Sequence, residues 1–596
     1  MTDAFRFGPL IAPDGVTFRL WAPAARRVEL VRNGRADMSR SDDGWYTLKV
    51  PAARPGDRYS FRIDDEIEVP DPASRFQPDD VHGPSQLIDE SYEWQARDWN
   101  GRPWHECVFL ELHTGTFTDQ GTFRGIIGKL DHLVAAGITA VELMPVADFP
   151  GRWNWGYDGV LLYAPDGSYG RPDDLKALVD AAHQRGLMVF LDVVYNHFGP
   201  DGNYLGRYAP QFFAPAHTPW GNAIDFEVPE VRRFAVENAL YWLRDFRFDG
   251  LRLDAVHAIV EPGRSLLLRE LSEAVGRLAA ETGRHIHLVL ENVANQASLL
   301  DPLTDPPAGK YRAQWNDDYH HVFHVLLTGE TDSYYGDYRA SSCGSSRLLA
   351  RVLAEGFAYQ GEPSPFRKGE PRGEGTAALP ATAFVNFLQN HDQIGNRALG
   401  ERLSELVPAE PLEAALAVLL LTPGPPLLFM GEEWSSRRRF PFFCDFKGEL
   451  AEAVRKGRRE EFAEAYARFH DDVPDPLSED TMRMARLDWN SVEAPEHRAR
   501  LDLVRRLLEA RKAHITPRLP RLRRGHGQAK AADGLVTARW MFDGGETLAI
   551  VANLSARARP CPAITGQWIW GGPAPAQLAP WSVHAAIETS HKRSIV

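Results

Sequence analysis

The chain has 596 residues, 44% of them hydrophobic, which is more than one core usually serves and points to two or three domains. Its 81 acidic residues outnumber 67 Lys and Arg, a formal charge of -14, so its field does not attract phosphate backbones or anionic lipid and neither nucleic acid nor a membrane is expected as a partner. The opening Met-Thr-Asp-Ala-Phe-Arg lacks a basic-then-apolar segment, and Cys107, Cys343, Cys444 and Cys561 are too scattered for a disulfide framework or a paired zinc site. A cytoplasmic, monomeric enzyme with reduced thiols is the expectation.

Short alternating runs come first, Val16 to Trp21, Val28 to Val31, Trp45 to Val50 and Tyr59 to Ile63, punctuated by Gly, Pro and Asp as in a small immunoglobulin-like β-sandwich. The stretch from Val69 to about Gln95 has no periodicity and reads as a linker, so residues 1–95 form a first unit. From near Val108 apolar runs alternate with helical periods, the mark of repeated βα units and a parallel sheet. Eight strands are expected: Val108 to His113, Ala140 to Val146, Val189 to Tyr195, Gly250 to Val256, His287 to Val293, Tyr311 to Asn316, Ala383 to Gln389 and Pro426 to Met430. Helices fit between them at Thr122 to Ala136, Pro172 to Arg185 and Val231 to Phe246, the first two followed by Gly137 and Gly186 as stop signals. The class is therefore α/β, a (β/α)8 TIM barrel with loop insertions over residues 96–518. Alternation returns in Gly534 to Trp540 and Thr547 to Asn553, predicting a small antiparallel β domain over residues 519–596.

In such a barrel the reacting groups stand at the C-terminal ends of the strands. The third candidate ends Asp192-Val193-Val194-Tyr195-Asn196-His197, the fourth Arg252-Leu253-Asp254, the fifth Leu290-Glu291-Asn292, and the seventh runs into Asn390-His391-Asp392-Gln393. Taken singly, each has an ordinary structural explanation: Asp254 as half of an ion pair with Arg252, Glu291 as a helix cap, His197 and His391 as satisfied loop histidines, and Asp192 as a brace for the following loop. Taken together, three carboxylates arrive at one rim from strands four, five and seven. Acetal cleavage between sugars needs one carboxyl to protonate the leaving oxygen and another to attack or stabilise the anomeric carbon, about 5 to 5.5 Å apart in retaining enzymes.

The blocks DVVYNH, GLRLDAVH, LEN and QNHDQIGN resemble the four short signature regions of the α-amylase superfamily, in the same order. The resemblance implies Asp254 as nucleophile, Glu291 as acid/base and Asp392 as the carboxylate holding hydroxyls of the bound glucose. It further implies that Arg252 orients the nucleophile, that His197 and His391 bond the same sugar, and that Tyr157 stacks beneath it. Longer blocks, ELHTGTF, VELMPVADFPG, WNWGYDGV, YNHFGPDGNYL, TPWGNAIDF, QWNDDYHH and FMGEEW, are similar to one branch, the maltooligosyltrehalose trehalohydrolases. That branch hydrolyses the α-1,4 bond joining a maltooligosaccharide to a terminal trehalose. One departure stands two residues after the acid, where the family more often has Asp and this chain has Val293, with Asn295 restoring the pattern.

A pocket for the trehalose leaving group has its candidates in Trp155, Trp220 and the cluster Phe440, Phe442 and Phe443, on loops bordering the rim, and Gln393 is a further substrate-binding candidate. Neither metal nor cofactor is expected, since two carboxylates suffice for acetal cleavage. For Glu291 to hold its proton, the negative charges of Asp254 and Asp392 are expected to raise its pKa. The alternatives are an α-1,4-glucan branching enzyme, a debranching hydrolase and a non-catalytic glycan-binding barrel. The last commonly lacks one of the carboxylates that stand here.

Overall fold

The computed structural model describes residues 5–218, 221–259, 266–302, 309–339, 345–463, 473–525 and 527–589. At its centre eight parallel strands close on themselves: β1 (Phe109–Leu112), β2 (Ala140–Leu143), β3 (Met188–Val193), β4 (Gly250–Leu253), β5 (His287–Leu290), β6 (Ala313–Trp315), β7 (Phe384–Phe387) and β8 (Pro426–Phe429). Phe109 pairs with Leu427, which joins β8 back to β1 and completes the ring. All residues of these strands are buried, because helices cover the outer face and side chains fill the inside. That two-sided burial is why the strands read as continuous apolar runs.

The ladders stop before the predicted runs do. β4 ends at Leu253 and β5 at Leu290, and these two residues are paired, so Asp254 and Glu291 leave the sheet side by side. β6 spans three residues, and Tyr311, expected within it, instead bridges Leu300. The helix expected over Thr122 to Ala136 is two pieces, Phe123–Ile127 and Leu130–Ala136, separated at Gly128 and Lys129. Its buried residues keep one helical period across the break, which hides the interruption from a reading of apolar spacing. The helix Pro172–Gln184 begins with Pro, its Asp174 carboxylate accepts from the Arg171 amide at 2.9 Å, and Leu175, Leu178, Val179 and Ala182 face the sheet.

Two antiparallel sheets precede the barrel, one built on Gly15–Trp21 and Trp45–Val50, the other on Val28–Val31 and Arg58–Ile63. Phe18 and Tyr59 meet between them with ring centroids 4.8 Å apart. This sandwich docks on the helix Pro229–Asp245, where Glu237 accepts from the amides of Arg6 and Phe7 and Phe7 packs edge-on against Phe234 at 5.0 Å. A five-stranded antiparallel sheet that includes Leu535–Met541, Glu546–Asn553 and Ser582–Thr589 forms the C-terminal unit.

One barrel residue is costly to the fold. Glu142 on β2 is buried, and neither carboxyl oxygen has a hydrogen-bond partner. Burial first, then the charges of Asp192 and Glu111, push its pKa well above the ordinary 4.5. The folded protein thus holds a proton the unfolded chain has lost, and the contribution of Glu142 to stability falls as pH rises from 4.5 through the raised value. Glu142→Gln is expected to raise Tm relative to wild type at pH 8 and by less at pH 5. A pH-independent difference in thermal denaturation would count against a protonated Glu142.

Candidate active site

The site is organised by Arg252, which points inward from β4 and is 2% exposed. Its Nη1 donates to Asp192 Oδ2 on β3 and to Asp254 Oδ1, both at 2.7 Å, and its Nη2 lies 3.8 Å from Glu291 Oε2. Trp315 on β6 closes the fourth side, with the guanidinium carbon 4.2 Å from its ring centroid. Asp192 was expected to brace the loop after its strand. It braces Arg252 instead and accepts from the Tyr157 hydroxyl at 2.7 Å; burial pushes its pKa up to about 7 against the pull of Arg252.

Asp254 and Glu291 stand in opposite electrostatic situations. Burial opposes ionisation of Asp254, but the charge of Arg252, the Asn196 amide donating at 2.9 Å and His197 outweigh it and hold the pKa below the ordinary value. Glu291 is raised well above its ordinary value by burial first, then by Asp254, Asp317 and Asp392, with Arg252 opposing. The neighbouring charges expected to raise it are therefore secondary to desolvation. The Ala255 amide donates to Glu291 Oε2 at 2.5 Å, and Ala255 has φ 41°, a left-handed conformation that costs an L-residue about 1 kcal/mol or more. The turn after the fourth strand is thus held under strain in a shape that presents an N–H to the fifth.

Asp254, Glu291 and Asp392 line one cavity of about 490 Å³, together with Trp155, Tyr157, His197, Arg252, His391 and Gln393. Trp220 lies outside the described residues. His197 Nε2 is 2.9 Å from the Tyr157 carbonyl, and burial lowers its pKa. His391 is moved the other way: burial would lower it, but Glu111 on β1, with Oε1 2.5 Å from Nδ1, raises it. The rings of Tyr157 and His391 stack at 5.1 Å. Asp392 Oδ1 accepts from Asn396 Nδ2 at 2.7 Å, and the Asn390 side chain caps the short helix His391–Gly395 that carries it. A Cβ at Gly395 would fall 1.9 Å from the Trp155 ring, so that position needs glycine for Trp155 to reach the wall.

Several expectations for the aromatic wall need correcting. Phe440 and Phe443 are fully buried behind the cavity, Phe440 stacked on Trp155 at 5.3 Å; of the three, Phe442 lines the cavity. Val293 lines it beside the acid, whereas Asn295 turns away to donate to Asp318 at 3.0 Å and does not restore a polar contact there. His257, Asn396, Arg458 and two further carboxyls, Asp158 and Asp317, also line the cavity and were not singled out from the sequence. Asp317 opens the helix Asp317–Thr328 just past β6, and burial first, then Asp392, pushes it up to about 7. Its signal lay within QWNDDYHH, but β6 is too short to mark its own end. Among the described residues no group of three His, Cys, Asp or Glu is arranged to hold a metal, and no helix is long and apolar enough to cross a membrane.

Residues 89–210 match the family model of the alpha amylase catalytic domain, residues 6–74 that of carbohydrate-binding module 48, the isoamylase N-terminal domain, and residues 522–584 a domain of unknown function, DUF3459. The malto-oligosyltrehalose trehalohydrolase of Deinococcus radiodurans is 43% identical over 509 residues, covering 85% of this chain and 82% of the relative. That of Saccharolobus solfataricus is 42% identical over 493 residues, covering 81% and 83%. A crystal structure from Salmonella typhimurium superposes with a TM-score of 0.93 at 45% identity, covering 98% of this chain and all of that one.

If Arg252 keeps Asp254 ionised, Arg252→Gln should move the acidic limb of the pH profile for glucan hydrolysis upward by about 1 to 3 pH units. The loss of rate should then be greater at pH 5 than at pH 7. An acidic limb that stays in place would assign the low pKa to another group.

Proposed function

This chain belongs to the malto-oligosyltrehalose trehalohydrolase family of α-amylase-type glycoside hydrolases, and we propose that it hydrolyses the α-1,4 bond next to the terminal trehalose of maltooligosyltrehalose, releasing trehalose and a maltooligosaccharide. Asp254, ionised beside Arg252 and Asn196, attacks the anomeric carbon as the glycosidic bond breaks. Glu291, kept protonated by burial, gives its proton to the departing trehalose oxygen. Water then enters, Glu291 takes its proton, and the sugar chain leaves Asp254 with its anomeric configuration retained.

The observation that carries this reading is the shared contact of Asp254 and Glu291 with one guanidinium, with their pKa values displaced in opposite directions. A nucleophile must be ionised and an acid protonated at the same pH, and this environment favours that division. Retention is supported by register: the two acids follow paired residues on adjacent strands, which lie about 4.8 Å apart. Neighbouring strands can bring two carboxyls to the roughly 5 to 5.5 Å that direct attack needs. Asp392 is read as the carboxylate that holds two hydroxyls of the glucose being attacked, with His197, His391 and Tyr157 around the same unit. As read from the sequence, the enzyme works as a cytoplasmic monomer without a cofactor.

Incubation with maltooligosyltrehalose is expected to release free trehalose, with the α-anomer of the oligosaccharide appearing first by NMR. New α-1,6 linkages from amylose would point to a branching enzyme instead. kcat/KM should rise as Asp254 ionises and fall as Glu291 loses its proton. Glu291→Gln should lower hydrolysis by about 10²- to 10⁴-fold and remove the basic limb. Asp254→Ala should abolish turnover of every glucan, and an unchanged rate would rule out the assignment.

A further inference from the structure

We infer that Asp80, Val81 and His82 form a clip that holds the rim loops after β2 and β3 together and so positions Tyr157 and His197 in the cavity; only the kinetic arm of its test rests on the activity proposed above. The stretch read from the sequence as a linker is tied down at both ends. It leaves the sandwich at Val69 and rejoins it at Ser85, and both of those residues pair with the strand Arg58–Ile63. Between them Asp71, Ser74, Arg75, Phe76 and Gln77 are buried. The Gln77 side-chain amide donates to the carbonyls of Asp80 at 3.2 Å and Gly83 at 3.1 Å, the Gly83 amide donates to the Asp80 carbonyl at 3.0 Å, and Asp80 takes a left-handed φ of 72°. A turn closed in this way is organised before it meets the rim, so little order is lost when it grips.

Each of the three residues reaches a different part of the rim. Asp80 Oδ2 accepts from the Gly151 amide at 3.0 Å, in the loop after β2. Val81 is fully buried and makes, with Val160 and Leu161 from that same connection, a small apolar cluster separate from the main core. A Cβ at Gly202, in the loop after β3, would fall 2.5 Å from the Val81 side chain and 3.2 Å from that of Val160, so Val81 is wedged between the two loops. His82 completes the grip on the second loop, with Nδ1 2.7 Å from the Tyr204 hydroxyl and Nε2 3.2 Å from Asp201 Oδ1. Inward from the clip the loops touch backbone to backbone: the Gly199 amide donates to the Gly159 carbonyl at 3.1 Å, and a Cβ at Gly199 would come 2.0 Å from the Asp158 carbonyl oxygen. Next in the series is the contact of His197 with the Tyr157 carbonyl, between two residues that line the cavity. The pairs Val160 and Gly202, Gly159 and Gly199, and Tyr157 and His197 thus run in order from the clip to the cavity wall. Rim loops are the mobile part of such a fold, and close-packed contacts pass a displacement on, so a wedge that touches no reacting group sets how often both cavity residues are in place.

The test separates loop position from stability. Val81→Ala trims the wedge; amide exchange read by mass spectrometry should quicken about 10-fold in residues 147–160 and 196–205 and stay as in wild type in the sandwich strand Gly15–Trp21. With fewer molecules holding both loops in place, KM for maltotriosyltrehalose should rise about 3- to 10-fold, while saturating substrate gathers the loops and keeps kcat within about twofold of wild type. Val81→Thr keeps the shape of the wedge but buries a hydroxyl, so it should lower Tm as Val81→Ala does and leave KM and loop exchange near those of wild type. Unchanged exchange and KM in Val81→Ala would make Val81 a packing residue alone, and a KM rise that both variants share in proportion to Tm would make it an effect of stability; each result overturns the inference. Wild-type enzyme that releases no trehalose would sink the proposed activity instead, and the exchange comparison would still decide the clip.

Discussion

A cation at the centre of a barrel is expensive to bury, and its cost is offset only where counter-charges reach it without rearrangement. Arg252 meets that condition because three neighbouring strands deliver carboxyls to it at nearly one level: Asp192 from β3, Asp254 just past β4 and Glu291 just past β5. The guanidinium is planar and permanently charged, so it serves Asp192 and Asp254 along one edge and leaves Glu291 at a longer reach. From that asymmetry follows the division of labour between the two acids. The closer one is kept ionised, and the farther one, desolvated and surrounded by other carboxyls, is kept neutral.

Around this fixed core the walls come from a different kind of structure. The reacting groups sit within one residue of strand ends, where the ladder of the barrel limits their movement. Trp155, Phe442, His391 and Gln393 sit on connections and on the five-residue helix His391–Gly395, held by ring stacking and by the room that Gly395 leaves. Loops of this kind tolerate change, so the fold separates the rigidly held carboxyls at the strand ends from the more variable walls of the cavity.

The barrel was readable from the sequence because its strands are buried on both faces and so write themselves as apolar runs. Asp254 and Glu291 stood out as carboxyls directly after two such runs, and Asp392 through the block QNHDQIGN; the three line one cavity. What failed to show was whatever depends on distance across the fold. The break at Gly128 lies inside an uninterrupted apolar period, and the choice of Phe442 over Phe440 and Phe443 depends on how one loop turns. Asn295 was set against the family's pattern after Val293, and the fold gives it a left-handed backbone, φ 54°, and a bond to Asp318. Asp317 escaped notice because a strand of three residues gives no run whose end can be marked. The dominance of burial over charge in raising Glu291 is likewise a property of the folded interior.

The pairing of His391 with Glu111 joins parts of the chain 280 residues apart, one on the first strand and the other just beyond the seventh. That part of the cavity wall is therefore completed only after nearly the whole barrel has been synthesised and the ring has closed. Any ligand held in this cavity requires closure of that ring, and by mass action its binding energy is added to the native state alone. Such a ligand would act as a clasp for the finished barrel and give no shelter to its incomplete precursors.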